Sequence, residues 1–275
     1  MKLDPYINFN FLKKNYKKLS NPEGKIALIT GGTGRIGSVF TSIYLLNDFK
    51  VYVLSRDQKK FKNLAKNIPA SYKKKLHWHE ADLKKPDEII KIIKKIQKKQ
   101  SIHHLVNCAA SHLRGKNIKY NTQNLIDEFL GIIGSNILIT EEVIKKMRKQ
   151  KFGNIINVGS IWGYSAPKFS TYLEMDIGPS LMTSVCKSGV HHFTKYLASR
   201  EAKFNINVNG ISPGWFPRKG KKSRNDYMES IRRDIPLNRI GKLEDLVSAI
   251  NFLISAGNKY FTGQTIKIDG GHSIW

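Results

Sequence analysis

Gly32-Thr33-Gly34-Arg35-Ile36-Gly37 spells G-x-G-x-x-G, the most specific chemical signal in the chain. Glycines at this spacing let the backbone turn tightly and approach a pyrophosphate, whose charge then rests on the N-terminus of the helix that follows. Alone the motif is weak, since a plain glycine-rich turn can carry it. Here the apolar run 26–29 precedes it, too short for a helix and suited to a strand buried on both faces. Ile36, Val39 and Phe40 then open a helix-like stretch. A glycine loop between strand and helix points to nucleotide binding. Other reactive side chains say less. His77 and His79 share a strand face, as a metal pair would, but have no cysteine or carboxylate cluster nearby. We assign no metal site to them, nor to His103-His104 or His191-His192. Cys186 adjoins Lys187, yet successive helix positions do not face each other, so we read the thiol as a small packing residue.

The 275 residues suffice for one large α/β domain with a substantial core. Apolar residues make up 40% of the chain, and no apolar run is long enough to span a bilayer. The first residues lack the continuous apolar stretch of a secretory signal, and two cysteines, Cys108 and Cys186, give no disulfide framework. A cytoplasmic protein is expected. Lys plus Arg total 47 against 21 Asp plus Glu, a formal charge of +26. Nucleic-acid or membrane binding is one reading of that excess. The lysines, however, are spread along the whole chain, and no arginine-rich recognition motif accompanies them. Over 86–100, lysines 91, 94, 95, 98 and 99 alternate with isoleucines 89, 90, 92, 93 and 96. That is a solvated helix face opposite a buried one. We therefore expect neither a specific nucleic-acid partner nor a membrane.

Strand and helix patterns alternate after the glycine loop. Strands are expected at 26–29, 50–54, 76–79, 104–108, 154–160, 206–211 and 264–268. Helices are expected over 58–68, 86–100, 122–149, 181–203 and 243–256, with 214–234 an irregular basic segment. Such alternation implies right-handed crossovers and one parallel sheet with helices on both faces. Residues 1–24 are read as an extension strapped onto a single domain spanning 25–275.

In this order the residues resemble the short-chain dehydrogenase/reductase family, in its shorter single-domain branch, over 25–271. Thr30-Gly31 with Gly37 looks like its cofactor loop, and Ala81-Asp82-Leu83 like its adenine-contacting turn. Val106-Asn107-Cys108-Ala109-Ala110 is similar to the family's Asn-Asn-Ala-Gly strand end, and Asn157-Val158-Gly159-Ser160 to the strand ending in a catalytic serine. Asn209-Gly210-Ile211-Ser212-Pro213-Gly214 resembles the segment over the nicotinamide; Pro236–Gly241, Thr262-Gly263-Gln264 and Asp269-Gly270-Gly271 match as well. The resemblance implies a Rossmann-type doubly wound sheet. It implies a dinucleotide held by Gly31, Thr33, Gly34, Arg35, Ile36, Gly37, Ser55, Arg56, Asp82, Leu83, Asn107, Ala109, Lys187, Pro213 and Gly214. Arg35 stands where the shorter branch has glycine.

The activity so implied is hydride transfer between a nicotinamide and a carbonyl or alcohol carbon. In the resembled enzymes a tyrosine gives the proton, a lysine four residues later stabilises the phenolate and holds the ribose, and a serine positions the substrate oxygen. Positions i and i+4 share a helix face, and a nearby cation pulls a phenol of pKa about 10 towards neutrality. The segment 187–198 fixes the register: Lys187 is the lysine, Ser160 the serine, and Thr183 occupies the tyrosine slot. Threonine cannot replace a phenol as acid or base at neutral pH. Tyr164, four residues before Lys168, and Tyr172 are alternative phenols in a lengthened loop; we read both as packing it. The family's helix asparagine has no counterpart near Gly131 or Ile132, and Asn136 lies a turn later.

At the end of the second strand an acidic side chain selects NAD and a cation selects NADP. Ser55 holds the acidic slot with Arg56 beside it, so NADP(H) is favoured, while Asp57 keeps NAD(H) open. Arg218, Lys219, Lys221, Lys222 and Arg224 fall in the family's substrate lid and suggest an anionic or sugar-like small molecule. The family's dimers and tetramers form through the helices matching 125–149 and 181–203, so a homodimer or homotetramer is expected. Three functions compete: an oxidoreductase with an unusual proton donor, a cofactor-binding but silent partner or regulatory subunit, and, on charge alone, a nucleic-acid binder.

Overall fold

The apolar runs become seven strands: β1 (Ile26–Thr30), β2 (Lys50–Ser55), β3 (Leu76–Glu80), β4 (His104–Asn107), β5 (Gly153–Val158), β6 (Ile206–Pro213) and β7 (Thr265–Ile268). They are seen in a computed structural model of the chain that describes residues 6–15, 25–111, 113, 118–172, 180–217 and 225–274. All pair in parallel, in the order β3-β2-β1-β4-β5-β6-β7. The chain winds outward from β1 to β3, returns, and winds the other way from β4. The order therefore reverses between β1 and β4, whose ends lie level with Thr30 opposite Asn107. Where neighbouring crossovers leave to opposite faces a crevice must open above the strand ends.

Ten α-helices accompany the strands among the described residues: α1 (Phe9–Asn15), α2 (Arg35–Leu46), α3 (Gln58–Lys66), α4 (Ala70–Lys73), α5 (Pro86–Lys99), α6 (Thr122–Phe129), α7 (Ser135–Gln150), α8 (Leu181–Glu201), α9 (Asn225–Arg233) and α10 (Val247–Ile254). Strand side chains alternate between two cores. Ala27 and Ile29 of β1 join Val39, Phe40 and Ile43 of α2 and Ile250 and Leu253 of α10. Ile26 and Leu28 join Ile89, Ile93 and Ile96 of α5 and Ile139 and Val143 of α7. Ile7, Phe9 and Leu12 also sink into the first core, so the stretch around α1 is packed against the domain. Among the described residues no helix is long and apolar enough to cross a membrane. His77 and His79 do share one face of β3, where their rings stack on Tyr52 at 5.0 and 6.0 Å.

Two stretches differ from the sequence expectation. The segment expected to be irregular at 214–234 contains α9, which buries Ile231. The helix expected to run unbroken over 122–149 is interrupted by a π-turn at Leu130–Gly134. A π-turn admits one extra residue per turn and displaces the helical hydrogen bonds. Asn136 compensates by donating its side-chain amide to Ile132 O at 2.8 Å, and Ser111 N–H reaches Gly131 O at 2.8 Å.

Candidate functional site

The crevice at the strand reversal is a cleft of about 590 Å³. Its floor is the loop from β1 to α2. Gly31 takes a φ of +67°, open to glycine at little cost, and a Cβ there would sit 2.8 Å from the Cα of Ala109. Gly37 lies so close under the loop that a Cβ would come within 2.1 Å of Gly31 O. Gly34 is the N-cap of α2; no side chain caps this end and no acidic residue lies in its first turn. A twelve-residue helix thus presents an uncapped positive end to the cleft, as an anionic pyrophosphate requires. Gly37→Ala is expected to cost about 1–3 kcal/mol by overpacking and to abolish nucleotide binding, read by denaturant unfolding and nucleotide titration. Gly257→Ala, whose Cβ would meet nothing nearer than 3.7 Å, should change neither.

Of the residues read as cofactor-binding, Gly31, Thr33, Gly34, Arg35, Ile36, Gly37, Ser55, Arg56, Asp82, Leu83, Ala109, Lys187, Pro213 and Gly214 all line this cleft. Asn107 does not. It is buried below the floor, where its amide donates to Thr140 Oγ1 and Asn157 Oδ1, both at 2.9 Å. At one end Arg35, Arg56 and Lys60 meet Asp57 and Ser55. Asp57 caps α3, accepting from Lys60 N–H at 3.0 Å, and pairs with the Lys60 ammonium at 3.3 Å. Those bonds hold its carboxyl below the usual carboxylate range. Ser55 Oγ accepts from the Trp78 indole at 2.9 Å.

At the other end Ser160, Thr183 and Lys187 converge on one wall. Ser160 lies two residues past the end of β5, which stops at Val158 rather than at 160 as expected, and accepts from Trp162 N–H at 3.3 Å. Lys187 is 7% exposed, and its ammonium donates to Val158 O at 2.6 Å. Burial pushes its pKa down from 10.5 to about 8. Thr183 lies one helical turn before it; its Oγ1 is buried and has no hydrogen-bond partner among the described residues. Ile132, from the π-turn, lines the same cleft near the position, Gly131 or Ile132, expected for the helix asparagine, whereas Asn136 does not reach it.

Tyr164 also stays out of the cleft. It stacks on His191 at 4.0 Å with the Lys267 ammonium 4.5 Å above its ring, packing the loop from outside. The side chain of Tyr172 and the basic residues Arg218, Lys219, Lys221, Lys222 and Arg224 lie outside the described residues. Cys108 lines the cleft near Lys187, and burial pushes its thiol up to about 12. Cys186 is buried, and its thiol too is pushed up, to about 11.

Sequence reading missed Lys60, Ser180, Trp162, Trp215 and Phe216, which also line the cleft. The two indoles meet edge to face at 5.6 Å, with the His272 ring against both. Two of four tryptophans following predicted strand ends was the available signal. Among the described residues no three His, Cys, Asp or Glu side chains gather as a metal would need.

A family model described as enoyl-(acyl carrier protein) reductase matches residues 36–273. The chain is 30% identical over 259 residues to the post-translational flagellin modification protein A of Campylobacter coli, covering 92% of this chain and 99% of that one. It is 31% identical over 256 residues to the 3-oxoacyl-[acyl-carrier-protein] reductase FabG of Buchnera aphidicola, covering 90% and 97%. A crystal structure of a short-chain dehydrogenase from Leptospira borgpetersenii with bound NAD+ superposes with a TM-score of 0.79 at 28% identity, covering 92% and 94%.

Proposed function

This chain belongs to the short-chain dehydrogenase/reductase family of NAD(P)-dependent oxidoreductases, and from that premise we propose that it interconverts a carbonyl and an alcohol on a small anionic or sugar-like molecule. The observation that carries this is the shared wall of Ser160 and the buried Lys187 beside a glycine loop and uncapped helix end shaped for a dinucleotide. When bound, the nicotinamide supplies or takes up the hydride. Ser160 would hold the substrate oxygen, Lys187 would hold the ribose and stabilise negative charge at the reacting oxygen, and Thr183 fills the tyrosine slot.

Cofactor preference follows from the occupied carboxylate and the cation beside it. With Asp57 committed to α3 and Lys60, Arg56 favours the 2′-phosphate of NADP(H) over the bare ribose of NAD(H). Ser55→Asp is expected to weaken NADPH binding at least about tenfold, some 1.4 kcal/mol, while NADH is spared. Fluorescence titration of both cofactors checks this; an unchanged NADPH-to-NADH ratio would remove the assignment.

The decisive test of function is that titration followed by a turnover screen over carbonyl and alcohol substrates, phosphorylated and carboxylated sugars included. Measurable NADPH oxidation or NADP+ reduction supports an enzyme. Thr183 and Ile132, in place of a phenol and an amide, favour a second reading: a cofactor-binding subunit that works through an active partner. Tight NADPH binding without turnover, together with co-purification of an intact paralogue, would select it. Leu125, Ile126, Phe129, Leu138 and Leu181, exposed on α6, α7 and α8, would be covered in the homodimer or homotetramer expected of the family.

A further inference from the structure

The imidazole of His191, to which no metal was assigned, sits directly behind the reacting wall. His191 is 6% exposed and lies one turn after Lys187, on the same face of α8. Its Nε2 is 3.1 Å from Ser160 O. Burial holds the ring's pKa below the ordinary 6.5 in spite of that bond, and Lys187, Lys195 and Lys267 push it the same way. The ring is therefore neutral at pH 7 and carries one proton. A carbonyl only accepts, so the proton is on Nε2. The chain leaves room for this ring. A Cβ on Gly159 would have three His191 ring atoms as its nearest neighbours, the closest at 2.2 Å. Gly159 has no positive φ, so its backbone conformation does not call for glycine. Nor does the Ser160 carbonyl need the imidazole to be satisfied, because Gly163 N–H already reaches it at 2.9 Å. What the second bond adds is a tie to α8. Lys187 donates to Val158 O at 2.6 Å and Ser188 Oγ to Gly163 O at 2.9 Å, so one stretch of helix holds the chain on both sides of Ser160 as well.

We propose that His191 is a positioning residue for the reaction: its Nε2–H, bonded to the Ser160 carbonyl, fixes the Ser160 hydroxyl relative to the Lys187 ammonium. Ser160 lies past the end of β5, so the sheet ladder does not set its place. Lys187 and His191 are four residues apart on one rigid helix, which makes a single element carry both the cation and the brace for the hydroxyl. His191 is not among the residues lining the cleft, so it acts through Ser160 and touches neither substrate nor nucleotide. Tyr164 stacks on the ring at 4.0 Å and holds its plane. This role rests on the oxidoreductase reading above.

The experiment compares wild type with His191→Phe, His191→Gln and His191→Asn. His191→Phe keeps a ring for Tyr164 to stack on but loses the donor. A serine displaced by about 1 Å should lower kcat roughly 10- to 10²-fold, with NADPH affinity within about twofold. The glutamine amide nitrogen falls where Nε2 was and the asparagine one where Nδ1 was. His191→Gln should therefore recover kcat to within about threefold of wild type, and His191→Asn should not. A merely structural histidine would not separate the two amides. In nitrogen NMR spectra of the cofactor-free protein at pH 7, the imidazole signal that His191→Gln removes should show protonation on Nε2 alone. If His191→Phe does not fold, the glutamine and asparagine variants carry the test. Undiminished kcat in His191→Phe or His191→Asn, equal kcat in the two amide variants, or a proton on Nδ1 each overturns the positioning role while leaving the oxidoreductase reading intact. Absence of turnover in wild type overturns that reading and the positioning role with it.

Discussion

Thr183→Tyr is expected to raise kcat by about two to four orders of magnitude, the usual contribution of a positioned general acid. Thr183 and Lys187 are four residues apart on α8 and therefore share a face. Thr183 lines the cleft, so a longer side chain at this position has the cleft to extend into. A phenol there would stand beside an ammonium that burial has brought close to its deprotonation point, a pairing that favours phenolate and lowers its pKa. Thr183→Phe has the same bulk without the hydroxyl and should give no gain. Steady-state kcat for the three proteins, on whichever substrate the screen returns, is the measurement. Equal rates for the phenylalanine and tyrosine variants would show that the slot is not where the proton is handled.

Lys187→Met should move activity and stability in opposite directions. Turnover is expected to fall at least about 10²-fold and NADPH affinity to weaken, since the buried cation on the reacting wall is gone. Stability should rise at neutral pH. The folded pKa of about 8 lies below the ordinary 10.5, so folding disfavours the charged amine, at a cost on the order of 3 kcal/mol. Below pH 8 the lysine is protonated in both states and that cost is constant. Between about 8 and 10.5 the unfolded chain binds more protons than the folded one, so wild-type stability rises with pH across that window. The melting temperature of Lys187→Met should therefore exceed wild type by several degrees at pH 7, and the gap should close as pH approaches 10.5. A constant gap, or a less stable variant at pH 7, would mean that the amine is not held against desolvation.

The sheet was legible because an interior parallel strand must be apolar on both faces. Runs such as 26–29 and 50–54 leave little other choice. Gly31 and Gly37 were legible for a related reason, since no side chain fits where loop and helix touch. Thr183 was located only by counting back from Lys187, and helical spacing made that count reliable. What failed was anything decided by partners distant in sequence. Asn107 matches a cofactor motif, yet its amide turns down to Thr140 and Asn157 because β4 and β5 are adjacent. Ser180 looked like one polar residue in a loop, and its hydroxyl bonds Tyr120 and Glu128, more than fifty residues earlier. The π-turn hid within a stretch whose flanking apolar spacing is that of an ordinary helix, and α9 hid behind the charge of the segment around it.

The π-turn also sets an azimuth. One residue in an α-helix corresponds to about 100° of rotation. The residue added at Leu130–Gly134 therefore turns all of α6 by that angle relative to an unbroken continuation of α7. Glu128 meets Ser180 only at this setting. Were the turn to close into regular α-helix with no residue lost, the carboxylate would swing roughly a quarter-circle away from the hydroxyl at the start of α8. A change of helical register there would break that contact while every side chain stayed the same.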